Sequence, residues 1–577
     1  MLALFLCFVL FRIGLSSSDH FNRVSLTDDD FPKVYSAVIS MNGLGFAEEV
    51  DMLGVVDVWE AEKLVKISFL VHDRLELAYL KSVAGFSSFL RPGSTAKSFE
   101  FEPTLSKDLH EELNYEESYK DHRSKKQKFS TIEGYSCYKD VAGTFDWMQS
   151  MVERSEKIPN LSVTVKDIGD SHRKTKRKRE GYDIVSMVIT GNGGPTNTTK
   201  SIFFAMTGIH AREYAPPELV SRWAEEDLID QYGRDPDITS ILDRTEIHLV
   251  IQSNPDGRAI AETQKWQLRR KNANTEGRFL PCFLSTRGVD LNRNFPFQWD
   301  VRGGSSTNRC SQTYRGPRPG SEPEVQAIIN YAKDIFPGNQ RKIDPVAQKE
   351  EAYSENATGV FFDIHSFGEL ILWPWSHQNK KSPNDVDLVA LASKYQRFNG
   401  YTFAGPEQSG WLYEASGTTV DWAYGVLGAA AMTFEIGTSF YQRCDYFEDR
   451  ILAANKKALT YAAKVSKAPY SIPKGPDITT ASLEVETSGF LILNVTAANF
   501  PGSRQGIKNI RAFINEHPYD SETQPDQGIL VGENSRIDVS NLQAGEHTIY
   551  LFATGTNDYQ GPVTAYSFVL FEEKEDK

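Results

Sequence analysis

Strand-like apolar runs alternate with amphipathic helices from residue 138 to about residue 467, and this alternation constrains the fold most. The runs SIFFAMTG, EIHLVIQS, GVFFDIHS, ELILWPW and AAMTFEIG are too apolar for strands with one solvated face. Between them, segments starting at residues 218, 322 and 385 repeat apolar side chains at helical spacing. Ser321 and Glu324 predict a capping box for the second of these helices. We therefore predict an α/β domain with a mostly buried mixed sheet and helices on both faces.

Regions with other patterns flank this domain. The N-terminal region has short strand-like runs, such as KLVKISFLV, and a predicted helix near 73–83, which favours a small α+β module. The polar tract after it has little to bury, and its run RSKK suits either a processing protease or a solvated spacer. After residue 474, six short strand-like runs separated by turn residues predict a β-sandwich. The predicted segments are a signal peptide at 1–18, the α+β module at 19–115, a basic linker at 116–134, the α/β domain at 135–468 and the β-sandwich at 475–577.

The first residues predict export from the cell. Residues 2–15 are almost wholly apolar, too short to span a bilayer comfortably, and followed by serines, which is typical of a signal peptide; an uncleaved anchor is the alternative. No other stretch reaches membrane-spanning length. A net charge of −14 argues against a protein that neutralises phosphates, so we expect no nucleic acid partner.

An exported chain meets an oxidising compartment. Without the signal peptide, four cysteines remain, and they predict two disulfides with three possible connectivities; buried free thiols are the alternative. Four Asn-x-Ser/Thr triplets become candidate glycan sites, at Asn160, Asn197, Asn356 and Asn494.

Two histidines follow strand-like runs of the predicted sheet. His210 comes just after the run that ends at Gly208, and among the eleven histidines it alone has a glutamate, Glu213, three residues later. His365 ends another buried run. Ligands of α/β proteins bind at the carboxyl ends of sheet strands, and two imidazoles with one carboxylate give zinc three ligands and an open position. The pattern indicates a catalytic zinc site, although each histidine alone suits a hydrogen-bonded core or rim residue.

Further polar residues stand where packing does not require them. Glu435 lies in the apolar run AAMTFEIG, where a carboxylate is costly to bury unless it is paired, protonated or near a metal. Arg270 and the pair Asn292 and Arg293 place cations and an amide in predicted loops. A fixed guanidinium suits a developing oxyanion or a substrate carboxylate. Tyr413 follows a glycine on a predicted mobile loop.

Together, these segments resemble the zinc metallocarboxypeptidases of the A/B type over roughly residues 135–467. Seven blocks occur in that family's order: GIHAREYAPPE, NPDG, RRKN, GVDLNRNFPFQW, HSFGELILWPW, YEASGTTVDWAYG and MTFEIG. The resemblance implies a carboxypeptidase-like fold and one zinc ion per chain, held by His210, Glu213 and His365. It also implies hydrolysis of the C-terminal peptide bond of peptide or protein substrates with a free C-terminal carboxylate.

The same resemblance implies a role for each remaining site residue. Glu435 would activate the attacking water and protonate the leaving amine, and Arg270 would hold the oxyanion. Residues that would bind the substrate's free carboxylate, or assist further from the chemistry, are Asn292, Arg293, Tyr413 and Arg212. An endopeptide would leave a buried guanidinium unpaired, which gives exopeptidase action a physical reason.

The resemblance also predicts which C-terminal residue is removed. Val420 stands where family members that prefer Lys or Arg carry an acid, and the predicted lining residues Leu372, Ala415 and Thr433 are uncharged. Such a pocket favours aromatic and large aliphatic residues, because burying an unpaired Lys or Arg there is expensive. Asp421 provides the alternative, since a one-residue shift of the alignment would place an acid at the pocket base.

The resemblance also bears on disulfides and processing, and the sequence departs from the family pattern at two places. The family's disulfide matches Cys282 with Cys310, which leaves Cys137 for Cys444. Residues 19–115 match its inhibitory activation domain in length and position, so we expect a zymogen, with a permanent N-terminal domain as the alternative. The insertion HRKTKRKRE is expected to be a solvated loop, with a second cleavage site or a polyanion contact as alternatives. The β-sandwich is not part of the A/B pattern, and the sequence does not indicate its ligand.

Two other functions compete with the exopeptidase. An inactive carboxypeptidase-like protein could use its β domain for binding or adhesion, but such a protein would be expected to have lost a ligand or the base. A zinc amidase acting on cell-wall peptides would need a different pocket from the apolar one around Val420.

Overall fold

The computed structural model describes residues 129–571, with interruptions, and the backbone of three strands nearer the N-terminus. The interruptions are at 196–198, 264–267, 277–286, 302, 337, 339–350, 409–412, 487, 500–502 and 521–524. The chain divides into two compact units, Met1–Asn42 with Asp57–Leu105, and Gly43–Val56 with Ser106–Lys577.

The first unit contains a three-stranded sheet. Its strands are β1 Lys33–Ser40, β2 Val55–Ala61 and β3 Leu64–Val71, in the order β1-β3-β2, with β1 antiparallel to β3. Strand β3 confirms the run KLVKISFLV as a strand. The signal peptide predicted at 1–18 and the helix predicted near 73–83 lie outside the described residues.

An eight-stranded mixed sheet is the framework of the second unit. A short hairpin precedes it, made of β4 Thr131–Ile132 and β5 Tyr135–Lys139. The strands of the large sheet are β6 Leu161–Asp170, β7 Asp183–Gly191, β8 Ser201–Thr207, β9 Thr245–Val250, β10 Val360–His365, β11 Leu370–Leu372, β12 Thr402–Phe403 and β13 Ala430–Glu435. Their order is β12-β11-β13-β10-β8-β9-β7-β6, and the four neighbours β13, β10, β8 and β9 are parallel.

The helices of this unit are α1 Val141–Ser155, α2 His172–Lys176, α3 Ala215–Arg222, α4 Pro236–Arg244, α5 Pro255–Ala261, α6 Pro323–Ile335, α7 Asp385–Asn399, α8 Thr419–Trp422, α9 Cys444–Tyr446 and α10 Ala453–Val465. Three of them continue as π-helical turns, at Trp223–Ile229, Ala423–Leu427 and Phe447–Leu452, and 3₁₀ turns lie at Leu291–Arg293, Ile472–Lys474 and Pro525–Gln527. Among the described residues, no helix is long and apolar enough to cross a membrane.

Helices cover both faces of the sheet, as predicted. Successive side chains of a strand point to opposite faces. In β8, Phe203 contacts Trp223, which continues α3, whereas Phe204 contacts Tyr331 of α6. All six residues of β10 are buried, which explains its unbroken apolar pattern.

The predicted capping box of α6 is wrong. The N-cap residue is Glu322, without a side-chain capping bond, and Ser321 donates a hydrogen bond to the carboxylate of Glu322 instead. Glu324 is buried and accepts hydrogen bonds from the backbone N–H of His172 and from the amide of Asn272. Glu324 therefore makes long-range hydrogen bonds instead of the capping hydrogen bond that the local sequence pattern predicted.

The C-terminal region forms the predicted β-sandwich, with seven strands instead of six. The strands are β14 Asp477–Glu486, β15 Phe490–Ala498, β16 Ile507–Ile514, β17 Ile529–Val531, β18 Ser535–Asp538, β19 Gly545–Gly555 and β20 Thr564–Leu570. One sheet has the order β14-β15-β18 and the other β17-β16-β19-β20. Their inner faces share one core, in which Leu491 and Leu493 of one sheet belong with Ile549 and Leu551 of the other. The added strand, β17, is a three-residue edge strand.

The sandwich packs at the amino ends of the parallel strands. Arg244, directly before β9, forms a bidentate ion pair with Asp520 at 3.0–3.1 Å. Asp477 accepts from the buried Lys394 of α7 at 2.7 Å and from Tyr461 of α10 at 3.3 Å. The functional side chains predicted from the sequence follow the opposite, carboxyl ends of the strands, so the sandwich and these side chains lie at opposite edges of the sheet.

The disulfide Cys137–Cys444 joins β5 to α9, with its Cα atoms 5.5 Å apart. It agrees with the pairing that the resemblance left for these two cysteines. Cys310 is also disulfide-bonded, but its expected partner, Cys282, lies outside the described residues. The Cys282–Cys310 pairing stays a prediction.

Candidate active site

The carboxyl ends of three neighbouring strands bring together the residues that the sequence singled out. His210 and Glu213 lie in the loop after β8, where Gly208 adopts a φ of +65° that favours glycine. His365 ends β10 and Glu435 ends β13, and the two are paired in the parallel register. A backbone hydrogen bond from Ala211 to the carbonyl of Arg270 fixes the loop after β8 against the segment that carries this arginine.

His210, Glu213 and His365 form a buried cluster with one ligand atom from each within 4.8 Å of the others. The Glu213 carboxylate bridges the two imidazoles, with Oε1 at 2.8 Å from Nδ1 of His210 and Oε2 at 3.0 Å from Nδ1 of His365. The side chains are no more than 4% exposed. Two imidazole nitrogens and a carboxylate oxygen are the donor set that zinc takes in catalytic sites.

Each imidazole faces a second carboxylate with its other nitrogen. Nε2 of His210 lies 3.2 Å from Oδ1 of Asp290, and Nε2 of His365 lies 2.8 Å from Oδ2 of Asp363. Both aspartates are fully buried. A metal-bound histidine usually donates its other N–H to such a carboxylate, which fixes the tautomer and the ring orientation. The arrangement therefore leaves both Nδ1 atoms available to a metal.

The cluster favours positive charge. Burial alone would lower the pKa of His365, but Asp363 and Glu213 outweigh burial and raise that pKa well above its ordinary value. Burial alone would raise the pKa of Glu213, but the two histidines outweigh it and hold that pKa well below its ordinary value. The residues thus stabilise a cation between them, and a divalent metal fits this environment.

Arg270 extends the network on one side. Its Nε and Nη2 donate to Oδ2 of Asp290 at 3.0 and 2.9 Å, while the other oxygen of Asp290 faces His210. Burial would raise the pKa of Asp290, but Arg270, His210 and Arg293 outweigh it and lower this pKa well below the ordinary value. Asp290 therefore stays ionised and orients both the guanidinium and the imidazole.

Glu435 is the neighbour of His365 in the parallel register and is partly exposed. Desolvation by the surrounding protein is the largest influence on it and, with Glu213, raises its pKa to about 8, against the opposing charges of His365 and Arg270. The pKa would fall beside a dication, because a nearby positive charge favours the carboxylate. A carboxyl group poised near neutrality can both accept and return a proton.

The residues expected to bind a substrate carboxylate differ in what they contact. Asn292 lies 3.2 Å from Nε2 of His365, and its oxygen accepts from the backbone N–H of Thr419 at 3.0 Å. Arg293 donates to the backbone carbonyl of Gly304 at 2.7 Å. Arg212 stacks over the ring of Phe440 at 4.1 Å.

Tyr413 is 60% exposed, and the residues directly before it lie outside the described part of the chain. The structure gives this tyrosine no contact with the cluster. Its closure over a substrate stays a prediction.

The carboxylate of Asp421, the alternative acid for the predicted specificity pocket, is held by a neighbouring turn. Val420 and Ala415 are buried, and Leu372 pairs with Thr433 between β11 and β13. Asp421 is fully buried but accepts from the backbone N–H groups of residues 376 and 377 at 2.7 and 2.9 Å and from the ring of His377 at 2.7 Å. Its carboxylate therefore holds the 376–377 turn.

The sequence analysis did not identify Asp290 and Asp363 as site residues, and the sequence indicates a buried role more clearly for Asp363 than for Asp290. Asp363 stands two residues before His365 in a strand, so both side chains point to the same face, and an acid in the run VFFDIH needs a buried partner. Asp290 shares the segment GVDLNRN with Asn292 and Arg293, but nothing in its spacing indicates a contact with a histidine 80 residues away.

Comparisons with known proteins agree with this geometry. A family model described as zinc carboxypeptidase (Peptidase_M14) matches residues 146–450, more than half of the chain. Carboxypeptidase A1 of Rattus norvegicus is 30% identical over 309 residues, which cover 52% of this chain and 63% of that protein. Metallocarboxypeptidase A of Trichophyton equinum is 29% identical over 349 residues, which cover 58% of this chain and 72% of that protein. The chain thus spans less than two thirds of the length of the rat relative.

Solved structures show the same fold. The crystal structure of thrombin activatable fibrinolysis inhibitor is similar with a TM-score of 0.54 at 20% identity, covering 76% of this chain and 98% of that one. Carboxypeptidase A from Helicoverpa armigera is similar with a TM-score of 0.53 at 18% identity and the same coverages. At these identities the likeness is evidence for the fold alone.

Proposed function

Because the chain belongs to the zinc carboxypeptidase family, we propose that it is a secreted zinc-dependent exopeptidase that hydrolyses the C-terminal peptide bond of its substrates. The observation that carries the proposal is the convergence of His210, Glu213 and His365 beside Glu435 at the carboxyl edge of the sheet. Zinc held by these three residues would supply Lewis-acid chemistry to the substrate carbonyl and to water.

The remaining steps fall to side chains of this chain. Glu435 takes the proton of the attacking water and returns it to the leaving amine, for which a pKa near neutrality is suited. Arg270, oriented by Asp290, offers its guanidinium to the developing oxyanion. Asp290 and Asp363 hold the outer nitrogens of the two imidazoles, which would leave Nδ1 of each ring free to hold a zinc ion.

Asn292 and Arg293 bind the free carboxylate of the substrate, with Arg212 and Tyr413 in supporting roles. An internal peptide segment has no charge to offer Arg293, which is buried, and the cost of an unpaired buried cation would exclude it. The uncharged surroundings of Val420 support a preference for aromatic or large aliphatic C-terminal residues. The engagement of Asp421 with the 376–377 turn supports the same preference.

We also propose that residues 1–18 direct secretion and that residues 19–115 are an activation domain removed after a cut in the linker at 116–134. The test is to treat the secreted protein with trypsin and to assay blocked dipeptides ending in Phe or Arg, with and without a zinc chelator. We expect chelator-sensitive release of Phe. Correctly folded, zinc-loaded protein without any activity would favour the inactive binding protein instead.

Val420→Asp tests the specificity pocket. We expect kcat/KM for the peptide ending in Phe to fall by about 100-fold and that for Arg to rise by about tenfold, because a buried acid pairs with guanidinium and repels apolar side chains. Val420→Leu is the control and should keep the preference for Phe. Wild-type activity on Arg but not on Phe would overturn the pocket assignment.

A further inference from the structure

Residues 172–180, called the basic loop below, concentrate positive charge on an acidic protein. The expectation of a solvated loop is only partly met, because residues 172–176 form helix α2 with His172 buried, whereas residues 177–180 are exposed. Six of the nine residues in HRKTKRKRE are Lys or Arg and one is Glu, whereas the whole chain has a net charge of −14. The loop therefore creates a local positive potential that the composition of the chain does not explain.

The basic loop lies at the same edge of the sheet as the candidate active site. It joins β6 to β7, which is antiparallel both to β6 and to β9, so β6 runs in the same direction as β9. Strand β9 is parallel to β8, and β8 to β10. The carboxyl end of β6, where the basic loop begins, therefore shares the edge at which His210 and His365 follow their strands.

Buried contacts hold the base of the loop in place. His172 is buried, and its backbone N–H donates to Glu324 at 2.9 Å. The backbone N–H of Arg173 donates to the fully buried carboxylate of Asp256 at 2.8 Å. Glu324 accepts as well from Asn272, two residues after Arg270. Glu324 thus links the base of the loop to the segment that follows the proposed oxyanion-binding arginine.

The cations beyond this base are available to a partner. Arg173, Lys178 and Arg179 are exposed and form no ion pair with any acid in the described part of the chain. Lys176 pairs with Glu276 at 2.7 Å, but both side chains are more than half exposed, so the pair is weak and open to exchange.

We propose that the basic loop is a substrate subsite that binds acidic side chains on the amino-terminal side of the scissile bond. This inference rests on the proposed function and adds a substrate class to it: peptides with Glu or Asp upstream of an apolar C-terminal residue. A peptide held beside His210 and His365 would lie at the carboxyl edge of the sheet, which is also the edge where the loop lies. Binding of a sulfated polysaccharide would not require the loop to lie at that edge.

The test compares two blocked hexapeptides that end in Phe and carry either three Glu or three Gln residues upstream. It uses the processed enzyme, with residues 172–180 shown intact by mass spectrometry. We expect kcat/KM to be about fivefold higher for the Glu peptide at low salt, through KM, because two or three exposed ion pairs form. The advantage should disappear near 0.5 M NaCl, where such charges are screened.

The double variant Lys178→Glu with Arg179→Glu should abolish this preference. The control, Arg504→Glu with Lys508→Glu, makes the same change in net charge at exposed positions of the β-sandwich and should keep the wild-type preference. Equal hydrolysis of both peptides by the wild type overturns the subsite and leaves the exopeptidase standing. Hydrolysis of neither peptide overturns both. Loop-dependent binding to a sulfated polysaccharide without discrimination between the peptides also overturns the subsite.

Discussion

At the scale of single residues, the site depends on carboxylates with different tasks. Glu213 contacts both imidazoles, Asp290 and Asp363 fix their outer nitrogens, and Glu435 is the neighbour of His365 across the strands and has a raised pKa. The environment separates these tasks, because ionised acids are paired with histidine or arginine whereas Glu435 is desolvated by its surroundings.

Glu435→Gln separates chemistry from metal binding. We expect kcat to fall by about 1000-fold, since an amide cannot accept the proton of the attacking water. Zinc content, measured by plasma mass spectrometry on the same sample, should stay at one ion per chain because Glu435 is not in the ligand cluster. A fully active variant would remove this residue from the mechanism.

Asp363→Asn tests the outer contact of His365. The amide accepts the imidazole N–H less strongly than the carboxylate does, so we expect zinc affinity to fall by about 10- to 100-fold. Competition with a chromogenic chelator measures this directly. Added zinc should restore activity, and restoration distinguishes lost affinity from misfolding.

At the scale of elements, strand ends and short helices decide where the chemistry lies. Helix α8 is only four residues long, yet it carries Thr419, whose backbone N–H and hydroxyl contact Asn292 and Asp363, next to Val420 at the proposed pocket. A Cβ at Gly417, just before α8, would approach the carbonyl oxygen of Arg293 to 2.5 Å, so a glycine is required there.

Asp421→Asn tests whether α8 positions the pocket wall. Asp421 holds the backbone of residues 376 and 377, and the carbonyl of Ser376 accepts from Ala415 at 2.8 Å. We expect KM for peptides ending in Phe to rise by about tenfold with kcat nearly unchanged, because buried hydrogen bonds to an ionised group are weakened. The control, His377→Gln, keeps both backbone contacts of Asp421 and should have a smaller effect. A gain of activity on Arg would instead assign the acid to the pocket.

The sequence predicted the parts of the fold that periodicity specifies. Continuous apolar runs gave the central strands, and ordered motifs gave the candidate ligands before any distance was available. It could not predict the partners of Glu324 or Asp290, because these contacts join segments far apart in the chain and local spacing carries no trace of them. Strand β17 was not predicted for a different reason. An edge strand of three residues is too short to show an alternation of apolar and polar side chains.

At the scale of the whole molecule, charges join the sandwich to the α/β domain, and one buried histidine lies among them. His517 is 4% exposed, and its Nδ1 accepts from the backbone N–H of Tyr519 at 3.2 Å. Burial, together with Arg244 and Lys467, lowers the pKa of His517 to about 2. The histidine is therefore neutral in the folded protein.

This depressed pKa predicts acid sensitivity. Below about pH 6.5, His517 is protonated in the unfolded chain but stays neutral in the folded chain. The free energy of unfolding is therefore highest above about pH 6.5 and decreases as the pH falls. The contribution of His517 lowers the free energy of unfolding by up to about 1.4 kcal/mol per pH unit. His517→Gln should flatten the dependence of Tm on pH between 7 and 5, while His547→Gln changes a half-exposed histidine of the same sandwich as a control. An unchanged slope in His517→Gln would contradict the prediction.

The covalent link between Cys137 and Cys444 encloses residues 172–180 within a single closed loop of chain. A protease that nicks the exposed cations there would leave two fragments still tethered to each other. The nicked protein would migrate as one species on a gel until a reductant separated the pieces, so limited digestion could sever this segment without releasing either half of the molecule.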